Sequence, residues 1–293
     1  MLTYQGITIM MTRSVKSYAK INLSLNIKSK REDGYHELDS LMVPIELHDS
    51  IVISRSSNNI DHFVTVDEFS NGLIHYNLVS TVIEELTKQY GFKERFRFYI
   101  HKVIPMQAGL GGGSSNAAFA LKAVNSILKL NASNEELIKM AAPYGADIPF
   151  FINCKPSRCE GIGERMTPIN IKNNYYVLIV KPDEGCSTKE VFGVADKKPY
   201  PQVNIDKVLE ALENGDDDML AEYMGNSLEE ASISINPEIQ NIKNFLKEEG
   251  LKLVLMSGSG SSVFALSQEK KELKKVMEKI DGKWFSELTR IIK

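Results

Sequence analysis

From Ala19 to Ile27 apolar and polar residues alternate without a break: Ala19, Ile21, Leu23, Leu25 and Ile27 on one side, Lys20, Asn22, Ser24 and Asn26 on the other. A period of two is that of a strand, whose successive side chains point to opposite faces. The pattern predicts a half-buried strand that aims Lys20 and Asn22 in one direction. Phe96, Phe98 and Ile100 alternate with Arg95, Arg97 and Tyr99 and predict a second strand that leads into a glycine-rich stretch. Helical spacing follows clear punctuation. Asn77 caps a predicted helix over Leu78–Tyr90 that Gly91 ends, and Ser114 or Ser115 opens one carrying Ala117, Ala118, Leu121, Val124 and Leu128. Ser133 with Glu136 forms a capping box for a helix that stops before Pro143.

In the second half the spacing predicts a strand over Tyr175–Val180 and helices around Val208 and Leu220. A further helix runs from Asn236, its cap, with Pro237 at the first position, to Gly250. A strand over Leu251–Met256, a glycine-serine turn, a strand over Val263–Leu266 and a helix near Glu269–Ile280 complete the chain. Both halves read as α+β. At about 150 residues per domain the 293 residues make two domains. Composition breaks at Lys155–Ser157 and Asn170–Asn174 place the division at 1–160 and 161–293.

The formal net charge of −3 leaves no global positive field to steer the chain onto nucleic acid or a membrane, so neither is an expected partner. Cys154, Cys159 and Cys186 are an odd set with no zinc-site spacing, and read as reduced thiols of a cytoplasmic protein. No apolar run reaches the roughly 18 residues of a membrane span, and the N-terminus lacks the form of a signal peptide. Met10 and Met11 offer alternative starts, which would make residues 1–10 an extension.

The candidate chemistry is concentrated in one segment: Pro105, Met106, Gln107, Ala108, Gly109, Leu110, Gly111, Gly112, Gly113, Ser114 and Ser115, continuing through Asn116, Ala117 and Ala118. Four glycines in five positions let backbone N–H groups converge on an anion, and the small residues after them open a helix whose N-terminal dipole faces the same spot. That combination predicts a phosphate-binding loop. It is not a Walker loop, because no lysine follows Gly113. It is not a dinucleotide fingerprint either, because Ser114 stands three residues after Gly111.

The form P-x-x-x-G-L-G-G-G-S-S-x-A-A resembles the central motif of the GHMP kinase superfamily. Ala19–Leu23 resembles its N-terminal motif and Leu255–Phe264 its C-terminal glycine motif. Asp33–Leu38, Gly145–Phe151 and Glu160–Glu164 are similar to the branch that phosphorylates 4-diphosphocytidyl-2-C-methyl-D-erythritol on the non-mevalonate route to isoprenoid precursors. Together these likenesses cover nearly everything from Ser17 to Leu266.

The resemblance implies a ribosomal-protein-like N-terminal domain, a ferredoxin-like C-terminal domain and an active site in the cleft between them. It implies ATP as co-substrate and magnesium, with no dedicated metal ligands assigned and Ser115 suggested only by analogy. Asp147 would be the general base and Lys20 the group that orients the accepting hydroxyl. Tyr35 would stack on the cytosine, His36 would bond its edge, and Asn22 and Thr188 would line the substrate pocket. Phe192 either closes the other face of the base or is a core residue of its helix, and Asn77 is a helix cap that would also lie near the adenine. Gln107 and Asn116 depart from the family's usual small residue and Asp at those positions. A monomer or weak homodimer is expected.

Overall fold

The described part of the chain, in a computed structural model, comprises residues 3–4, 7–8, 12–56, 63–66 and 77–293. The alternative starts at Met10 and Met11 lie outside it. The chain forms two compact units that do not follow its linear order. One gathers Met1–Ser17, His48–Val103 and Gly112–Asn153; the other Tyr18–Leu47, Ile104–Gly111 and Cys154–Lys293. This spatial partition differs from the linear division expected at residue 160, because the apolar side of the first long strand belongs to the second unit's core.

In the first unit, β1 (Thr3–Tyr4) pairs with β2 (Ile7–Thr8). The long strands β3 (Thr12–Lys30) and β4 (His36–Arg55) each give one end to this unit. β5 (Phe63–Val66) precedes α1 (Leu78–Tyr90), and both lead to β6 (Phe96–His101), which pairs parallel with β5 and antiparallel with β4. Phe96, Phe98 and Ile100 are buried and Arg97, Tyr99 and His101 exposed, as their alternation requires. Asn77 caps α1 by accepting a bond from the Val79 N–H, and Gly91 ends it at φ 67°, a conformation other residues resist.

α2 (Gly112–Leu128) packs on α1 and α4 (Ile148–Asn153), with α3 (Asn134–Ala141) alongside α4. α2 begins at Gly112 rather than at the expected Ser114 or Ser115. Gly111 is the last left-handed residue of the loop, at φ 71°, and the helix starts as soon as the backbone leaves that conformation.

The capping box of α3 is complete: the Glu136 N–H donates to Ser133 Oγ at 3.2 Å and the Ser133 N–H to Glu136 Oε2 at 2.7 Å. Ser133→Ala removes the acceptor and should cost about 1 kcal/mol, read as a lower denaturant midpoint at unchanged slope. An unmoved midpoint would show that the exposed end of α3 frays in the native state.

In the second unit β7 (Ser157–Gly161) pairs with the inner part of β4 and with β8 (Arg165–Pro168). Then follow β9 (Tyr176–Lys181), α5 (Thr188–Ala195), α6 (Ile205–Asn214), α7 (Asp217–Tyr223), α8 (Glu229–Ile235), α9 (Glu238–Glu248), β10 (Leu253–Met256), β11 (Val263–Ser267), α10 (Lys270–Glu278) and β12 (Phe285–Arg290). The antiparallel sheet has the order β10-β11-β9-β12, the 4-1-3-2 arrangement of a ferredoxin-like domain.

Three of its strands, β9, β10 and β11, are apolar on both faces. Val177, Ile179, Leu253, Leu255, Phe264 and Leu266 enter one core together with Ala19, Ile21 and Leu23 of β3. Leu178, Val180, Val254, Met256, Val263 and Ala265 enter another beneath Val191 of α5, Ile242 of α9 and Leu273 of α10. Continuous apolar runs such as Tyr175–Val180 are what a doubly covered sheet needs.

Candidate active site

The polar row of β3 is buried, not solvated as a half-buried strand requires: Lys20 is 4% exposed and Asn22 3%. Burying a lysine is expensive unless its ammonium is hydrogen-bonded, and the second unit supplies a relay. Lys20 Nζ donates to Asn22 Oδ1 at 2.6 Å, Asn22 Nδ2 to Ser40 Oγ at 2.7 Å, and Ser40 Oγ to the Ser24 carbonyl at 2.7 Å. Lys20 and Asn22, two apart on one strand, therefore act as one fixed group. The alternation of β3 gave their common direction; it could not show that the facing strand β4 and the turn 257–262 would cover them.

The loop Pro105–Gly111 is held by that second glycine-serine turn. Ser261 N–H donates to the Gln107 carbonyl and Ser262 N–H to the Ala108 carbonyl, both at 3.2 Å. Ser257 Oγ donates to the Gly109 carbonyl at 3.0 Å, and Lys20 N–H to the Leu110 carbonyl at 3.1 Å. With carbonyls turned into the protein, the loop's remaining N–H groups are free for an anion.

The two turns pack at backbone distance. Gly109 has φ 71°, and a Cβ there would lie 2.0 Å from the Ser257 carbonyl oxygen. A Cβ on Gly258 would lie 3.2 Å from Lys20 Nζ and 3.3 Å from Asn22 Oδ1. The unusual Gln107 adopts φ 49° with its side chain outward. Gly185 makes room for it, since a Cβ at Gly185 would meet Gln107 Cβ at 2.4 Å. Met106 is exposed and Pro105 half-buried.

Within the first unit, Gly112, Gly113, Ser114 and Ser115 form the first turn of α2, where N–H groups without intrahelical partners favour negative charge. Ser115 is fully buried. Asn116, in place of the family's Asp, accepts a bond from Ser17 Oγ at 2.6 Å. Gly145, two residues before Asp147, lies against this turn: a Cβ on it would come within 3.4 Å of Ser114 Oγ. Asp147 stands half-buried immediately before α4, its carbonyl accepting from the Phe151 N–H at 3.3 Å. The sequence segment Gly145–Asp147 is thus brought to the phosphate-loop end of α2.

Tyr35 and His36 lie in the second unit at the hairpin between β3 and β4. Gly34 turns the chain at φ 87°, and the Tyr35 N–H donates to Asp33 Oδ1 at 3.1 Å. This leaves the Tyr35 ring 57% exposed while His36 is 8% exposed. The His36 ring stacks on Phe192, centroids 4.4 Å apart and planes at 29°, so Phe192 is in ring contact with His36. Thr188, four residues before Phe192 on α5, shares a hydrogen bond of 2.9 Å with Ser259 Oγ. α5 thereby ties the glycine-serine turn to the Tyr35–His36 hairpin.

Sequence reasoning missed Ser40, Ser257, Gly258 and Asp196. Leu255–Phe264 was legible as a glycine motif, which could have flagged Ser257 and Gly258. Ser40 and Asp196 carry no signal without their partners. Asp196, at the end of α5, bonds His36 Nε2 at 2.7 Å.

Residues 77–155 match the family model of the GHMP kinases N terminal domain, and residues 208–287 that of the GHMP kinases C terminal. The chain is 38% identical over 279 residues to a 4-diphosphocytidyl-2-C-methyl-D-erythritol kinase of Thermodesulfovibrio yellowstonii, covering 92% of this chain and 94% of that one. It is 36% identical over 277 residues to the enzyme of that name from Clostridium perfringens, with the same coverage. A crystal structure of 4-(cytidine 5'-diphospho)-2C-methyl-D-erythritol kinase superposes with a TM-score of 0.80 at 28% identity, over 96% of this chain and all of that one.

Proposed function

The chain belongs to the family of 4-diphosphocytidyl-2-C-methyl-D-erythritol kinases among the GHMP kinases, and from that membership we propose that it transfers the γ-phosphoryl group of ATP to the 2-hydroxyl of 4-diphosphocytidyl-2-C-methyl-D-erythritol, a step of the non-mevalonate route to isoprenoid precursors. The observation that carries this reading is the phosphate-type loop locked against a second glycine turn, beside a buried, hydrogen-bonded lysine. A new bond forms between the 2-oxygen and the γ-phosphorus, the bond to the bridging oxygen breaks, and ADP leaves. Asp147 accepts the hydroxyl proton. Lys20, held by Asn22, orients that oxygen, and the N–H groups of Gly109–Ser115 take up charge on the phosphates.

Magnesium is expected alongside ATP, with no protein ligand set assigned. It is commonly held by one or two carboxylates plus substrate phosphates rather than by an all-protein cage. Among the described residues no group of three or more His, Cys, Asp or Glu could hold a metal. Ser115 is suggested as a ligand only by analogy with the family, and the ion would supply charge neutralisation to the substrate phosphates. No described helix is long and apolar enough to cross a membrane, and a cytoplasmic location suits these substrates.

A coupled ADP-release assay tests the reaction. ADP should appear with 4-diphosphocytidyl-2-C-methyl-D-erythritol and not with mevalonate or galactose; release with mevalonate instead would reassign the acceptor. Tyr35 presents the exposed ring on which the cytosine stacks. Stacking on an aromatic side chain is worth roughly 1–3 kcal/mol, about five- to a hundred-fold in affinity. Tyr35→Ala should weaken the diphosphocytidyl substrate by that order in calorimetric titration and leave ATP affinity unchanged. The converse pattern would move the cytidine site away from the hairpin.

A further inference from the structure

His36 is held on an edge as well as on a face. Its Nε2 lies 2.7 Å from Asp196 Oδ1, and Tyr200 meets the ring edge-on at 6.0 Å. Asp196 collects three donors. His36 and the Tyr200 hydroxyl, at 2.6 Å, share Oδ1, and Lys30 Nζ donates to Oδ2 at 2.5 Å. Burial alone would push the Asp196 carboxyl up, but the hydrogen bonds from Lys30, Tyr200 and His36 outweigh it and hold the group well below the usual carboxylate range. The same burial and the bond to Asp196 push the Tyr200 hydroxyl up to about 12, so it remains a donor.

An ionised carboxylate only accepts hydrogen bonds. The proton of a neutral His36 must therefore sit on Nε2, and Nδ1 keeps its lone pair. Cytosine and uracil differ at position 4, where cytosine carries an amino donor and uracil an oxygen acceptor.

We propose that Asp196 is a positioning residue that makes His36 read cytosine rather than uracil: by holding the proton on Nε2 it makes Nδ1 an acceptor, which suits the 4-amino group and repels the 4-oxo group. The inference rests on the reading that His36 faces the base edge. It adds the carboxylate that decides which way His36 discriminates, with Lys30 and Tyr200 fixing that carboxylate.

The cluster also foretells what a neutral isostere does. Lys30 can only donate, so in Asp196→Asn the amide oxygen turns to Lys30 and the amide NH2 takes the place of Oδ1. That group donates to Nε2 and drives the ring proton onto Nδ1. An obligate acceptor becomes an obligate donor.

The test uses the full chain with CDP and UDP as probes in calorimetric titration, and nitrogen-15 NMR of the imidazole without ligand. Wild type should carry its proton on Nε2 and prefer CDP by about tenfold or more. Asp196→Asn should show the Nδ1–H tautomer and lose CDP affinity by about tenfold, with the preference abolished or reversed toward UDP. Tyr200→Phe, which removes one donor but keeps the carboxylate, should leave tautomer and preference as in wild type; a mere loosening of the cluster would affect both variants alike. A wild-type ring protonated on Nδ1 overturns the proposal even should the Asn variant not fold. So does a folded Asp196→Asn that keeps the wild-type CDP/UDP ratio. His36→Phe separates the underlying reading: if CDP affinity survives it, His36 does not read the base at all, whatever its tautomer.

Discussion

Asp147→Asn should lower kcat by about 10²–10⁴, the usual worth of a positioned general base, while the KM for ATP stays within a few-fold. The substitution is isosteric and leaves the main-chain contacts in place. Asparagine is as good as aspartate ahead of a helix, the carbonyl that receives the Phe151 N–H is unaltered, and Gly145 keeps its place against the first turn of α2. The fold should be retained in circular dichroism, and single-turnover kinetics should locate the loss in the phosphoryl-transfer step. A variant that turns over within a few-fold of wild type would take Asp147 out of the mechanism.

Gly109→Ala is the change with the largest expected effect on the structure itself. The new Cβ would meet the Ser257 carbonyl oxygen at 2.0 Å, the Ser257 carbonyl carbon at 2.9 Å and the Gly260 nitrogen at 3.1 Å. All three are main-chain atoms, so no rotamer change relieves the contact and one turn has to move. The left-handed backbone costs an alanine about 1–2 kcal/mol and the forced packing about 1–3 more, so roughly 2–5 kcal/mol in all. At roughly 2–4 °C per kcal/mol for a chain somewhat shorter than this one, Tm should fall by about 4–20 °C. Gly282→Ala is the control: φ is 73° there, but nothing lies within 4 Å of the added atom, so only the backbone strain remains. Equal Tm losses in the two variants would mean that the turns give way without cost.

The elements that declared themselves in the sequence are those fixed by local chemistry. Asn77, Gly91, Ser133 and Glu136 bound their helices as read, because a cap is an interaction among residues two to four apart. The runs of β9, β10 and β11 were legible because a sheet covered on both sides tolerates few polar residues. β7, β8 and β12 were not legible. Ser157–Gly161, Arg165–Pro168 and Phe285–Arg290 are short or polar, and are strands because β4, β7 and β9 offer them partners.

The candidate site divides in the same way. The glycine loop announces itself, since its backbone conformation demands an unusual composition. The half-buried pattern of β3 gave the common direction of Lys20 and Asn22 but not their full burial, because what covers them comes from Ser40 on β4 and from Gly258, more than 230 residues on. Asp196 was invisible because one aspartate before two lysines looks like any helix end.

The clamp between the two glycine turns has a consequence for how the protein is made. Ser257 Oγ and the Gly109 carbonyl it bonds are 148 residues apart. At about 5–20 residues per second, a ribosome that has finished the first turn needs roughly 7–30 s to reach the second. Through that interval Ala108 and Gly109 lack the partners that turn their carbonyls inward, and the first turn has its amides but not its frame. If this loop holds the ATP phosphates as proposed, ATP should find no assembled loop until synthesis is nearly over and should not act as a template for early folding. Nascent chains stalled before residue 257 should leave the loop open to protease whether or not ATP is added, and release past the second turn should bring the first nucleotide-dependent protection.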